Sequence, residues 1–364
     1  MDWLIPLSSY TSFYYHFLFV VVVITLFYGL TYDLYALLSR MFAQFMGWFL
    51  FVIITLYMGL RPVSAKYFGD MESYNQVFIK VQRGEQIIIT KDYLFNYFTL
   101  YCARIMSSQM FFLIVDVIYI LPMFLFSRKY SPVYWYYVFL LFLTSFSFWT
   151  YGTNGIRNGI ATSLFLLALV FYERKLLMYG IMFLAMGFHN SLMIPIAAYF
   201  VAAQWKNPKI YLYVWLSAIP LSLLFSGQWE ILFSSLGFED ERVTGYLGGQ
   251  ERAEFRYDGF RWDFVFYSGF AIFAGWYFIF KKKIQDKFYI HLWGIYVVAN
   301  AFWILVIRAN FSNRFAYLSW FLMAPVIAYP MLKYKLWPDQ HKILTIVIFI
   351  YYLFTYLVFL RVAA

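Results

Sequence analysis

The sequence predicts an all-α, polytopic integral membrane protein, and three observations carry that prediction. Of its 364 residues, 63% are hydrophobic and 25% aromatic, while only 13% are charged, against roughly 25% charged in soluble domains. Apolar runs long enough to span a bilayer recur from end to end without a linker, so residues 1–364 read as a single integral membrane domain. The lysines and arginines behind the formal net charge of +10 sit mostly in short loops between these runs, as topology determinants do, which excludes nucleic acid as a partner. A single cysteine, Cys102, excludes an internal disulfide and a multi-cysteine metal site. No basic region precedes the first apolar stretch and no small-residue cleavage site follows it, so that span is expected to be retained.

A window of about 19 residues places spans at Tyr14 to Thr31, Met41 to Leu60, Ser108 to Phe126, Val133 to Thr150 and Ile156 to Tyr172. Later spans run from Ile210 to Phe225, Phe264 to Phe280, Tyr289 to Ile307, Phe315 to Leu332 and Ile343 to Leu360. Between them, Leu176 to Trp205 is too long for one span and is interrupted by GFHNS at Gly187 to Ser191. It reads as two short helices that go in and return, with Ser191 capping the second.

Basic loops set the orientation. KKKIQDK from Lys281 and KYKLWPDQHK from Lys333 are cytoplasmic by the positive-inside rule, and counting back puts Lys206, Glu173 to Lys175, Arg128 and Arg40 on the same side. Residues 61–107 and 226–263 then form the two long external segments. The first holds SYNQVFIKV and YLFNYFTLYCARI, with the mixed spacing of helices lying at the membrane surface. The second concentrates acids and arginines between aromatics.

With that topology Asp70, Arg157, His189, Arg308, Arg314 and the arginine-rich loop all fall on the external side. Arg157 stands in the first turn of its helix, where unbonded amides and the positive dipole end suit an anion such as a diphosphate. Snorkelling to the interface is the competing explanation; Gly152, Gly155 and Gly159, which would let a ligand approach the backbone, favour the anion. His189, at the helix break, is a candidate general base or a hydrogen-bond partner of a phosphate, or simply satisfies local carbonyls. Asp70, with Glu72 behind it, is a candidate to deprotonate or bind a sugar hydroxyl, the alternative being a solvated loop acid. In ERAEFRYDGFRWD, Arg252, Arg256 and Arg261 alternate with acids, which fits internal pairing, but Tyr257 and Trp262 among them suit a glycan-binding surface. Arg308 and Arg314 flank a short turn and would complete a cationic clamp with Arg157, Arg314 more readily because a helix begins there. Phosphate-loop, zinc-protease and serine-hydrolase motifs are absent, and His16, His189, His291 and His341 are too dispersed for a metal centre.

Taken in order, GDMESYNQVF, IRNGIATSLFLLALVFYERK, GFHNSLMIPI and NRFAYLSWF resemble the EpsG-like branch of the Wzy-type bacterial polysaccharide polymerases, the enzymes of exopolysaccharide and O-antigen assembly, from about Gly69 to about Trp320. The resemblance implies an enzyme of the bacterial inner membrane whose active site faces the periplasm. It would move a growing glycan from undecaprenyl diphosphate to the non-reducing end of a lipid-linked repeat unit, with neither metal, nucleotide sugar nor other cofactor. Its partners would be the undecaprenyl-diphosphate-linked oligosaccharide, membrane lipids and, as a further candidate, a chain-length regulator of the polysaccharide co-polymerase type. Position by position, the family arginine matches Arg157, its aspartate Asp70, its histidine His189 and its late arginine Arg314. The expected architecture is about twelve transmembrane helices, two of them short, with a GT-C-like external face. A lipid-linked sugar flippase or transporter and another polyprenyl-phosphate-sugar-dependent glycosyltransferase are the rival functions. One-sided polarity and the lack of an internal repeat argue against transport.

Overall fold

The computed structural model describes residues 5–205, 207–235, 259–309 and 312–363, and all regular structure among them is helical. In chain order the helices are α1 (Leu7–Thr31), α2 (Leu37–Gly59), α3 (Ala65–Phe68), α4 (Met71–Gln82), α5 (Tyr93–Ile105), α6 (Ser108–Tyr130), α7 (Trp135–Leu143), α8 (Phe148–Thr153), α9 (Ile156–Val170) and α10 (Lys175–Phe188). After a 3₁₀ turn at Asn190–Leu192 come α11 (Met193–Gln204), α12 (Lys209–Ser235), α13 (Trp262–Trp276), α14 (Lys287–Leu305), α15 (Asn313–Trp320), α16 (Met323–Lys333) and α17 (Gln340–Ala363). Seven stretches are long and apolar enough to cross a membrane: α1, α2, α6, α13 with the π-turn after it, α14, α15 with α16, and α17. Four shorter apolar helices add to them: Ile156–Val170, Lys175–Phe188, Asn190–Gln204 and Lys209–Phe225. The chain is thus a polytopic all-α membrane protein, with seven full-length candidate spans among the described residues.

Two compact units divide the chain, Met1–Leu192 with Ala328–Ala364, and Met193–Ile327. In the first, α6 stands between α2, α7 and α9. The start of α1 is stitched to the end of α2 by reciprocal bonds: Tyr10 Oη donates to Tyr57 O at 2.6 Å, and Tyr57 Oη to Tyr10 O at 2.7 Å. Their rings stack at 4.2 Å. α17 runs antiparallel to α1, with Thr345 seated against Gly29 at one end and Tyr352 Oη donating to Tyr15 O at the other.

Leu176 to Trp205 is, as expected, two short helices, α10 and α11, broken at Gly187 to Ser191. The two polar-apolar stretches of 61–107 form α4 and α5, which pack on each other and on α6. The expected span from Phe315 to Leu332 is present within Asn313–Lys333, with a two-residue turn at Phe321 and Leu322, where Pro325 just beyond has no N–H to continue the ladder. Two expectations need correction: the Val133 to Thr150 span and the start of the second external loop. The span from Val133 to Thr150 is two helices, α7 and α8, parted by the hydroxyl-rich 144–147 segment, whose side chains offer the backbone alternatives to helix. Residues 226–235 are not loop but the last part of α12, beyond a kink at Phe225.

In the second unit α14 is the central helix, packed against α11, α12, α13 and α15. Asn300 on α14 is its polar hub. The carboxamide accepts from Trp215 Nε1 on α12 at 2.8 Å and donates to Ser268 Oγ on α13 at 3.0 Å and to Ser319 Oγ on α15 at 2.9 Å. Trp320 Nε1 donates to the same Ser268 hydroxyl at 2.7 Å. Asn300, Ser268 and Ser319 are fully buried, and in an apolar surround such bonds specify which helices meet. Asn300→Leu is expected to cost about 1–3 kcal/mol by orphaning Trp215 and both serines. Denaturant unfolding of the purified protein in micelles checks this; a change below a few tenths of a kcal/mol would remove the hub role.

Candidate functional site

The candidate residues of the first unit are gathered by the entrance of α9. Asp70 sits between α3 and α4, half-buried, behind Gly69, whose backbone has φ +56°. A Cβ at Gly69 would lie 2.5 Å from Asn154 Oδ1, so the turn needs glycine for both conformation and space. That same Asn154 oxygen accepts the Asp70 backbone N–H at 2.7 Å, fixing where the aspartate stands.

Arg157, in the first turn of α9, is 22% exposed and pairs with Asp92, which is 4% exposed, at 2.5 Å. Its Nε donates to Tyr74 Oη at 3.2 Å, and the guanidinium lies 5.7 Å from the Tyr74 ring centre. Asp92 holds a left-handed backbone, φ 51° and ψ 48°, at the start of α5. Aspartate enters this left-handed region more readily than most residues, and the turn carries its carboxylate to Arg157. Tyr74 and Asp92 therefore orient the fork, and its charge is shared with a carboxylate.

His189 is the extended residue after α10. Ser191 Oγ donates to Asn158 Oδ1 at 2.8 Å and lies 2.8 Å from His189 Nδ1. The imidazole also faces the Ser191 backbone N–H, at 3.2 Å. The expected cap is thus reversed: histidine takes the backbone amide, while the serine hydroxyl links histidine to α9. One turn, Asn154 to Asn158, ties Asp70, Arg157 and His189 to the same end of the unit. The basic residues Arg40, Arg128, Lys129 and Lys342 belong to the opposite ends of their helices.

Two glycines play a different part from the one expected. A Cβ at Gly159 would lie 2.5 Å from Tyr151 O, and at Gly152 2.0 Å from Met58 Cε and 3.0 Å from Tyr119. The space beside them is filled by the protein, so they serve close packing rather than ligand approach.

Beneath the cluster lies a pair that the sequence did not bring forward. Arg61 and Asp116 form an ion pair with both side chains at 0% exposure. Arg61 Nη1 also donates to Met58 O at 2.5 Å and Nη2 to Thr153 O at 3.4 Å, joining α2, α6 and the end of α8. Arg61 Nε and Asp116 Oδ1 are buried without a hydrogen-bond partner among the described residues, so the pair is incompletely solvated. It ends one residue before Asn154, and so supports the α9 entrance.

Arg261, Trp262, Arg308 and Arg314 belong to the second unit, at the ends of α13, α14 and α15. Arg261 makes a two-point pair with Asp263, 2.9 and 2.7 Å, and lies 3.6 Å from the Phe264 ring centre, while Trp262 is 57% exposed. Arg308 is exposed after α14, and Arg314 is half-buried in the first turn of α15. Arg252, Arg256 and Tyr257 lie outside the described residues. Among the described residues no group of three or more His, Cys, Asp or Glu is placed to hold a metal ion.

Arg61→Met is expected to destabilise the protein by roughly 3–5 kcal/mol, because Asp116 is left charged and alone, while Arg61→Met with Asp116→Leu recovers most of that loss. Unfolding of both variants in micelles decides the matter; a double variant as unstable as the single one contradicts the ion-pair account.

No curated protein and no solved structure matches the chain. The model of the EpsG family matches residues 44–364, nearly the whole chain and every candidate residue named above. The chain belongs to the EpsG family.

Proposed function

We propose that the protein is a polysaccharide polymerase, a membrane glycosyltransferase acting at the periplasmic face of the bacterial inner membrane. The observation that carries this reading is the single turn, Asn154 to Asn158, that groups a carboxylate, an arginine and a histidine in a chain of the EpsG family. Arginine at a helix entrance suits a diphosphate, and the two other groups suit a sugar hydroxyl.

The donor is the growing glycan on undecaprenyl diphosphate and the acceptor is the non-reducing-end hydroxyl of a lipid-linked repeat unit. The acceptor oxygen bonds to the anomeric carbon as the bond from that carbon to the diphosphate oxygen breaks. The hydroxyl proton passes to Asp70 or His189. The lipid diphosphate leaves with its charge held by Arg157, oriented by Asp92 and Tyr74. Arg261 and Trp262, with Arg252, Arg256 and Tyr257, contribute to glycan choice, and a chain-length regulator is the proposed protein partner. The proposal counts the seven candidate spans, the four shorter apolar helices and α7 with α8 as about twelve crossings, beneath a GT-C-like outer face.

Purified protein given its cell's own lipid-linked repeat unit is expected to yield a ladder of products on a gel. Arg157→Ala lowers the rate roughly 10²–10³-fold, and replacement of the base, by Asp70→Asn or His189→Ala, lowers it roughly 10²-fold or more. No ladder from intact wild-type protein with the correct lipid would overturn the polymerase; a ladder that survives Arg157→Ala would overturn this site.

A further inference from the structure

The outward face of α2 carries an open groove of about 500 Å³ lined by Gln44, Phe45, Trp48, Phe49, Val52 and Ile53. Its aromatic and aliphatic members are exposed in the monomer, Phe45 at 68%, Val52 at 47% and Trp48 at 46%. A bare apolar groove on a membrane span would be filled by acyl chains in any case, so its polar end decides whether it selects among lipids.

That end is built. Gln44 donates to Val133 O at 2.9 Å and accepts from Trp135 Nε1 at 2.9 Å, fastening the groove to the turn between α6 and α7. Arg128, the exposed arginine in the last turn of α6, rests on three rings: Trp48 at 5.8 Å, Phe124 at 5.7 Å and Trp135 at 5.7 Å. No carboxylate pairs with it among the described residues, although a guanidinium fork is shaped to take two oxygens at once. The rings restrict its motion without neutralising it. Arg40 lies one turn before Gln44 on the same face of α2 and is also exposed. Asp33, the acid of the adjoining turn, is taken by the Tyr35 N–H at 2.7 Å and by His341 at 3.7 Å.

We propose that this groove is a selective site for an anionic phospholipid, its acyl chain along Phe45, Trp48, Phe49, Val52 and Ile53 and its phosphate on Arg128 and Arg40. The site is separate from the proposed reaction centre. Arg40 belongs to the first turn of the 23-residue α2, whereas the Asp70 cluster follows its far end, roughly 35 Å along the axis. The phosphate is therefore in the other leaflet, and the inference does not depend on the polymerase reading.

Native mass spectrometry of the purified protein with equal amounts of phosphatidylglycerol and phosphatidylcholine of identical chains tests this. Wild type is expected to retain phosphatidylglycerol about fivefold better per engaged arginine. Arg128→Gln should remove most of the preference. Because Arg128 also packs on three rings, Arg40→Gln serves as the variant that leaves that packing intact, and it should lower the preference as well. Val52→Trp, which fills the groove, should reduce retention of both lipids. Glycerol 3-phosphate, the headgroup chemistry without chains, should not compete at equal concentration. No preference in wild type, a preference untouched by both glutamine variants, or full competition by glycerol 3-phosphate would each overturn the proposal.

Discussion

A guanidinium at the entrance of an apolar helix needs a counter-charge, and for Arg157 that charge is Asp92, brought by a left-handed turn at the start of α5. Much of the candidate site depends on this pairing. It ties α5 to α9, and the same helical turn presents Asn154 to the Asp70 amide and Asn158 to Ser191 and so to His189. Three helix ends are thereby held to one short segment. An isolated arginine at this depth would be driven toward water; a paired one can be stationed where a ligand arrives.

The two arginines of the first unit illustrate a division of labour set by burial. Arg61 is sealed, its charge matched by Asp116 at 0% exposure, and in that state it can join helices but not meet a substrate. Arg157 keeps 22% of its side chain in contact with solvent. The difference is geometric: Arg61 follows α2 into the space under α6 and α8, whereas Arg157 opens its helix at the end of the unit. Close packing of α8 on α9 through Gly159, and of Gly152 against Met58 and Tyr119, makes the platform under both rigid.

Much of this was legible in the sequence, for identifiable reasons. Composition and recurrent apolar runs gave the helical membrane class, the GFHNS interruption marked the break between α10 and α11, and the arginine just inside an apolar run marked the entrance of α9. The partners were not legible. Asp92 is 65 positions from Arg157, and nothing local distinguishes it from a solvated loop acid. Asp116 carried a readable signal: a lone acid inside FFLIVDVIYI demands a counter-ion, although which arginine answers it depends on tertiary packing. Glycines near Arg157 misled because a small residue admits a neighbouring helix as readily as a ligand. The breaks after α7 and α15 went unseen because the apolar pattern runs straight across them; the hydroxyl-rich 144–147 segment and the missing N–H of Pro325 act on the backbone, which hydropathy does not sense.

The central claim is that the entrance of α9 receives the diphosphate of a lipid-linked glycan. Its most direct test is an electron cryomicroscopy map of the protein in a lipid disc with an undecaprenyl diphosphate glycan bound. The account predicts diphosphate density within about 3 Å of the Arg157 fork, with the sugar end directed to Asp70 and His189. Density elsewhere, with the α9 entrance closed over the Arg157–Asp92 pair, would contradict it.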